Sequence, residues 1–282
     1  MKPGLKWAGM SAVALTGVAL LAAGFAWLAS QSVIERHYPL LSIDVPAGDK
    51  PDVVARGQHL AKITGCFGCH GAALRGRALK PLPHFRIFAS NLTRSAQALD
   101  DEQFARAIRD GLRPDGTSLW IMPSETYEYM SGADIGALVA YVRSLPANGA
   151  ARPSPAFNWR ARVAILKGDL EPTAMRAAEA GSSLDLGPRY DGGRYIARVS
   201  CAQCHGLDLS GTPDGGTPSL TVLSRYSLHD FFALLREGKA RDDRALPAMH
   251  DLAKHRFSDF KDYEVMALYD YLSARAAALP HE

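Results

Sequence analysis

All four cysteines of the chain fall into two C-x-x-C-H units, Cys66-Phe67-Gly68-Cys69-His70 and Cys201-Ala202-Gln203-Cys204-His205. No thiol is left for a structural disulfide, a lone nucleophile or a separate thiolate ligand. The rest of the sequence is organised around this duplication. Arg56-Gly57-Gln58-His59-Leu60-Ala61 precedes the first unit and Gly192-Gly193-Arg194-Tyr195-Ile196-Ala197 the second. Gly57 lies nine residues before Cys66 and Gly193 eight before Cys201, so the match slips by one. Phe104 to Gly111 matches Phe231 to Gly238, and both segments read as short amphipathic helices closed by a glycine. Met122 and Met249 each follow that glycine by eleven residues. Each half then ends in a helix, Ser131 to Ser144 in the first and roughly Phe260 to Ala274 in the second. Ser131-x-x-Asp134 predicts a capping box, and Pro146 a stop. Tyr141 and Tyr271 align, 19 and 22 residues after their methionines, so the second half carries a small insertion there.

The spacing within each unit is a geometric requirement of covalent haem attachment. Two cysteines three apart on one helical turn reach the two vinyl groups, and the following histidine points its imidazole at the iron. A zinc site would need a second ligand pair at finger-like spacing, and a redox-active C-x-x-C would need a βαβ setting. Neither half supplies either. The expected covalent haem anchors are therefore Cys66, Cys69, Cys201 and Cys204, with His70 and His205 as axial ligands. A sixth ligand remains to be found, and a thioether there stabilises the ferrous state. Met122 and Met249 hold matching positions in the repeat and are the expected choices. Met130 and Met266 are local rivals, Met266 reading as a core residue of the last helix, and His250 is a rival for Met249. His59, His84, His229 and His255 have no repeat partner and read as solvated or merely packed. Asn91-Leu92-Thr93 has the form of a glycosylation sequon, but Ser90 to Thr93 aligns with Pro218 to Thr221 as an ordinary loop beside the haem.

Residues 1–30 form an N-terminal segment, either a membrane anchor or a signal peptide. Lys2 and Lys6 precede about 24 uncharged residues, Trp7 to Ser30, long enough to span a bilayer. The lysines keep the N-terminus cytoplasmic and export the remainder. Gly24-Phe25-Ala26 could serve as a cleavage site, and both readings place the body in the same compartment. The formal net charge is +3, about +1 without those lysines, too small to argue for a nucleic-acid partner. Residues 148–187, rich in Pro, Gly and Ala at both ends, read as an ordered linker with one short helix at Trp159 to Leu166.

With these motifs placed, the chain resembles class I cytochrome c domains in tandem. More narrowly, it is similar to the multi-haem cytochrome c subunits of membrane-bound alcohol, aldehyde and gluconate dehydrogenases. The resemblance covers residues 50–276 and rests on the two C-x-x-C-H units, Arg56-Gly57, Ala89 to Thr93, Met122-Pro123-Ser124 with Tyr127, and Gly193-Arg194-Tyr195. It implies a mainly α fold: an N-terminal transmembrane or signal helix, a cytochrome c domain at 50–147, a linker at 148–187 and a second domain at 188–278. It also implies that Gly57 packs against Tyr141, and Gly193 against Tyr271, where the first and last helices of each domain cross. Those subunits typically carry three haem motifs, whereas this chain carries two. The expected function is an electron carrier with two covalent haem c groups, not an enzyme in itself. It would be anchored in a bacterial-type inner membrane with both haem domains in the periplasm. Its donor would be a dehydrogenase subunit, and its acceptor a soluble cytochrome or terminal oxidase. A subunit of a haem–copper oxidase, or a di-haem peroxidase or thiosulfate-oxidising enzyme, is the alternative.

Overall fold

The computed structural model describes residues 3–46, 48–79, 85–212, 215–242 and 244–279. Lys2 and His84 lie outside them. The architecture is mainly helical, with one two-stranded antiparallel pairing, β1 (Phe85–Arg86) with β2 (Ala156–Phe157).

Helix α1 (Pro3–Ile34) has 32 residues, roughly 48 Å at ~1.5 Å per residue. Its Met10–Ile34 part is long and apolar enough to cross a bilayer, and its most apolar window is unburied. From Trp27 onward it meets the body. Arg162 of α8 (Trp159–Lys167) lies 5.0 Å from the Trp27 ring centroid and donates to Ser30 Oγ and Gln31 Oε1, each at 2.9 Å. The apolar run predicted as a linker helix therefore does pack, and its partner is the end of α1. The linker holds more than the one helix expected of it. A second, α9 (Thr173–Ala178), follows, and β2 precedes α8.

The first half is framed by α2 (Pro51–Ile63) and α7 (Gly132–Ser144), which cross at Gly57. A Cβ there would lie 2.8 Å from Tyr141 Cβ and closer still to the Ala137 carbonyl oxygen, so only glycine fits. Leu60, Ile63, Ile135, Leu138 and Val142 are buried around the crossing. Each such side chain contributes about 1.5–3 kcal/mol on leaving water. Between these helices lie α3 (Cys66–His70), α4 (Leu92–Ala98), α5 (Asp101–Arg109) and α6 (Ser124–Tyr127). The segment predicted as an ordinary loop starts α4 instead. Asn91 is 2% exposed, caps that helix by accepting from Arg94 N, and donates to the Asn148 carbonyl at 2.8 Å.

The second half repeats this plan with α10 (Asp191–Ile196), α11 (Ala202–His205), α12 (Leu228–Glu237), α13 (Pro247–His255) and α14 (Asp262–Ala278). Helices α10 and α14 cross at Gly193, where a Cβ would lie 2.6 Å from Tyr271 Cβ. The one-residue slip of the sequence repeat has a structural cause. In the first half the helix ends and Gly65 turns left-handed (φ +86°) before α3, whereas in the second a π-helical turn, Ala197–Cys201, runs straight from α10 into α11. The insertion between Met249 and Tyr271 is also resolved. The four-residue α6 is replaced by the nine-residue α13 and a 3₁₀ turn at Phe257–Asp259. Two leucines, Leu74 and Leu209, each four residues after its histidine, have φ of +53° and +64° and are fully buried. Among the described residues they are the only non-glycines in the left-handed region, and that shared strain marks the same fold twice. Met266 departs from expectation, since it is exposed on α14 rather than packed in the core.

The halves share one continuous apolar core and a polar seam. Ser131 caps α7 as expected, but Asp134 does not close the predicted capping box. Its buried carboxylate instead accepts from Arg56 Nε (2.6 Å) and from the Tyr195 hydroxyl of the other half (2.6 Å). His59, read as solvated or merely packed, sits 2.8 Å from Glu264 of α14 across the seam. Burial would raise the Glu264 carboxyl, but hydrogen bonds from His59 and the Lys261 amide, with their charges, hold it below the usual carboxylate range. A carboxylate depressed by folding stabilises the protein above its unfolded pKa, ~4.3, and loses that contribution as pH falls through the folded value. Glu264→Gln is therefore expected to cost about 1 kcal/mol at neutral pH. The gap to wild type should close below about pH 4. Denaturant midpoints measured across pH check this, and a gap that persists unchanged into acid would refute it.

Candidate functional site

Helix α3 is a single turn that carries Cys66, Cys69 and His70, and the turn directs all three into one cavity. Met122 and Pro123 line the same space, with Leu74, Leu92, Leu99, Phe104, Leu112 and Leu138 as apolar walls. Its volume is about 1120 Å³, open mouth included. The His70 ring is 8% exposed and donates from Nδ1 to the Ser90 carbonyl at 2.8 Å. That bond fixes the tautomer and leaves Nε2 as the free nitrogen, as metal-bound histidines require. Burial pulls the His70 pKa below its ordinary value, so the ring is neutral at pH 7. Burial also pushes the Cys66 thiol up, so the cysteine is neutral as well.

The second half repeats the histidine's hydrogen bond and the turn that follows it. His205 donates from Nδ1 to the Pro218 carbonyl at 2.9 Å, and burial lowers its pKa too. Gly206 and Gly211 follow the histidine in the same turn as Gly71 and Gly76, with the Gly76 and Gly211 amides donating to the carbonyls of His70 and His205. Burial pushes the Cys201 thiol up to about 12. Met249 lies on α13, partly buried against the core. His250, its rival, is exposed and turns Nδ1 to the Glu237 carbonyl at 3.0 Å. Met130, the rival in the first half, is buried in the core at 3% exposure.

Three residues at the first cavity escape the sequence reading. Arg113 lines it, with its guanidinium bonded to the Ser118 carbonyl and to Thr117. Arg176 of α9 donates to the Met122 carbonyl (3.3 Å) while paired with Glu125 (3.1 Å), so the linker steadies the methionine loop. Gln203, between the two cysteines of the second unit, lines the first cavity and donates to the Tyr127 hydroxyl at 3.4 Å. None of the three has a counterpart in the repeat, so the duplication does not point to them.

Two thiols, a carbonyl-held neutral imidazole and a methionine around one apolar cavity are the donor set of a covalently attached haem with a thioether opposite its histidine. The family model for cytochrome c matches residues 54–146, which hold all of the cavity's lining except Gln203. Residues 54–146 form a cytochrome c domain. Such a domain binds haem c covalently, and the residues present fit that group. Over most of its length the chain is also similar to three cytochrome subunits. It is 27% identical to the fructose dehydrogenase cytochrome subunit of Gluconobacter japonicus, across 80% of this chain and 53% of the relative. It is 26% identical to the gluconate 2-dehydrogenase cytochrome c subunit of Pantoea cypripedii, across 88% and 65%. It is 24% identical to the cytochrome c subunit of the quinone-dependent alcohol dehydrogenase of Gluconacetobacter polyoxogenes, across 82% and 57%. The chain thus spans about half to two-thirds of the length of these relatives.

Proposed function

We propose that this cytochrome is a two-haem electron relay. One haem is held by Cys66 and Cys69 with His70 and Met122 as axial ligands, the other by Cys201 and Cys204 with His205 and Met249. The observation that carries this reading is the carbonyl-held histidine, repeated at 2.8 and 2.9 Å beside each C-x-x-C-H unit. Domains at 50–147 and 188–278, joined by the linker at 148–187, follow from the same repeat. Helix α1 anchors the chain in the inner membrane with both haem domains on the periplasmic side. The similarity to three dehydrogenase cytochrome subunits favours a membrane-associated dehydrogenase as donor over a haem–copper oxidase assembly. A soluble cytochrome or terminal oxidase is the acceptor.

The haem supplies the one-electron ferric/ferrous couple, and the chain supplies everything that shapes it. The Ser90 and Pro218 carbonyls orient the two imidazoles and raise their basicity as ligands. The apolar walls of the first cavity keep water from the iron. Arg113 lines that wall and would offer its guanidinium to a carboxylate of the bound haem. The role is electron carriage, as in the cytochrome subunits the chain is similar to.

Haem counting tests the reading directly. Pyridine haemochrome analysis against protein concentration is expected to give two haems per chain. C66A/C69A and C201A/C204A should each retain one. A wild-type count of one would remove the second site from the proposal.

A further inference from the structure

We propose that Arg256 is a shared tuning residue of the two haem sites, a buried cation wedged between them that raises the reduction potential of both. The inference rests on the two-haem reading above.

Arg256 belongs to the insertion that distinguishes the second half, between α13 and the turn Phe257–Asp259, and it is 5% exposed. Its guanidinium crosses the seam. Nε donates to the Ile63 carbonyl at 2.7 Å, Nη1 to Gln203 Oε1 at 3.1 Å and Nη2 to the Val199 carbonyl at 3.3 Å. Ile63 ends the helix that leads to Cys66, Val199 lies two residues before Cys201, and Gln203 lies between Cys201 and Cys204. The same group lies so close to Gly65 that a Cβ there would meet Nη1 at 2.9 Å. One charge is thus held against the residue preceding the first haem anchor and inside the second attachment motif.

Among the described residues no carboxylate pairs with Arg256. The two nearby acids are engaged elsewhere, Asp259 with Lys62 at 2.7 Å and Glu264 with His59 at 2.8 Å. Burying a lone cation is costly, and a neutral side chain could bridge the same carbonyls more cheaply. A fixed positive charge near an iron that gains an electron favours the reduced state, because the low dielectric of the seam lengthens its reach.

The test is spectroelectrochemistry on the full-length holoprotein after haem counting, with Arg256→Lys, Arg256→Gln and Arg256→Met. All three disrupt the hydrogen-bonded fork, but only Gln and Met remove the charge. Both potentials are expected to fall in the neutral variants by about 59 mV, a roughly ten-fold change in each one-electron equilibrium. Both should stay near wild type in the lysine variant. A purely structural role would move stability in all three variants and leave the potentials grouped with wild type. If Met fails to fold, Gln still donates to a carbonyl and reads the same quantity. Two haems with unmoved potentials, a shift in only one haem, or equal shifts in Lys and Gln would overturn the proposal while leaving the relay intact. A count of one haem would instead defeat the two-haem reading itself.

Discussion

Met122→Ala is expected to lower the potential of the first haem by on the order of 0.1 V or more, a sizeable part of the ~0.8 V span that axial ligands set, and to leave the second haem nearly unchanged. Met249→Ala should do the converse. A thioether stabilises the ferrous state, and alanine offers the iron nothing, so water or a neighbouring side chain takes the position. Met122 is well placed for a large effect. It lines the cavity with His70, Pro123 follows it, and Arg176 holds its carbonyl. Met249 sits in a regular helix, partly buried, beside the exposed His250. Potentiometric titration of each variant, with the loss of the sulfur-to-iron absorption as a second readout, checks the assignment. If Met249→Ala leaves both potentials in place while His250→Ala shifts one, the second site is bis-histidine.

Gly57→Ala and Gly193→Ala are each expected to be strongly destabilising. Overpacking a core ordinarily costs ~1–3 kcal/mol. Here the obstacle at each site includes a backbone carbonyl, Ala137 or Ala267, which cannot rotate away as a side chain can. Each substitution is therefore expected to cost about 3 kcal/mol, the upper end of that range. Chemical denaturation of the holoprotein measures it. A loss below about 1 kcal/mol would mean that the crossing helices can slide apart, contrary to the tight seat of Tyr141 and Tyr271.

Much of this was legible in the sequence, for a reason particular to the chemistry. Covalent attachment demands fixed local spacings, and a close helix crossing demands a glycine opposite an aromatic ring. The first is met within five residues, the second by a glycine and a tyrosine far apart in sequence that the family resemblance pairs, and both occur twice. The seam between the halves was not legible. Asp134 satisfied a local capping pattern, yet Arg56 and Tyr195, 78 and 61 residues away, took its carboxylate. His59 and Glu264 are 205 residues apart, and no periodicity links them. Arg256 lay in the segment where the repeat broke, and departures from a repeat carry the contacts that the repeat itself cannot make. The linker was read too simply. Asn158 caps α8 and Gly168 closes it with φ +78°, signals available in the sequence, while Thr173–Ala178 begins without any side-chain cap.

The grip of Arg162 on the last turns of α1 has a mechanical consequence. A cytochrome on a floppy tether sweeps a hemisphere, and its height above the bilayer fluctuates with the tether. Here the helix that would leave the lipid continues without a break into a clamp of Trp27, Ser30 and Gln31 around one guanidinium. If α1 spans a bilayer as proposed, the body would ride as a rigid mast whose standoff and azimuth are set by the helix itself, and a donor in the same membrane would meet it by a lateral, two-dimensional search with the orientation already chosen.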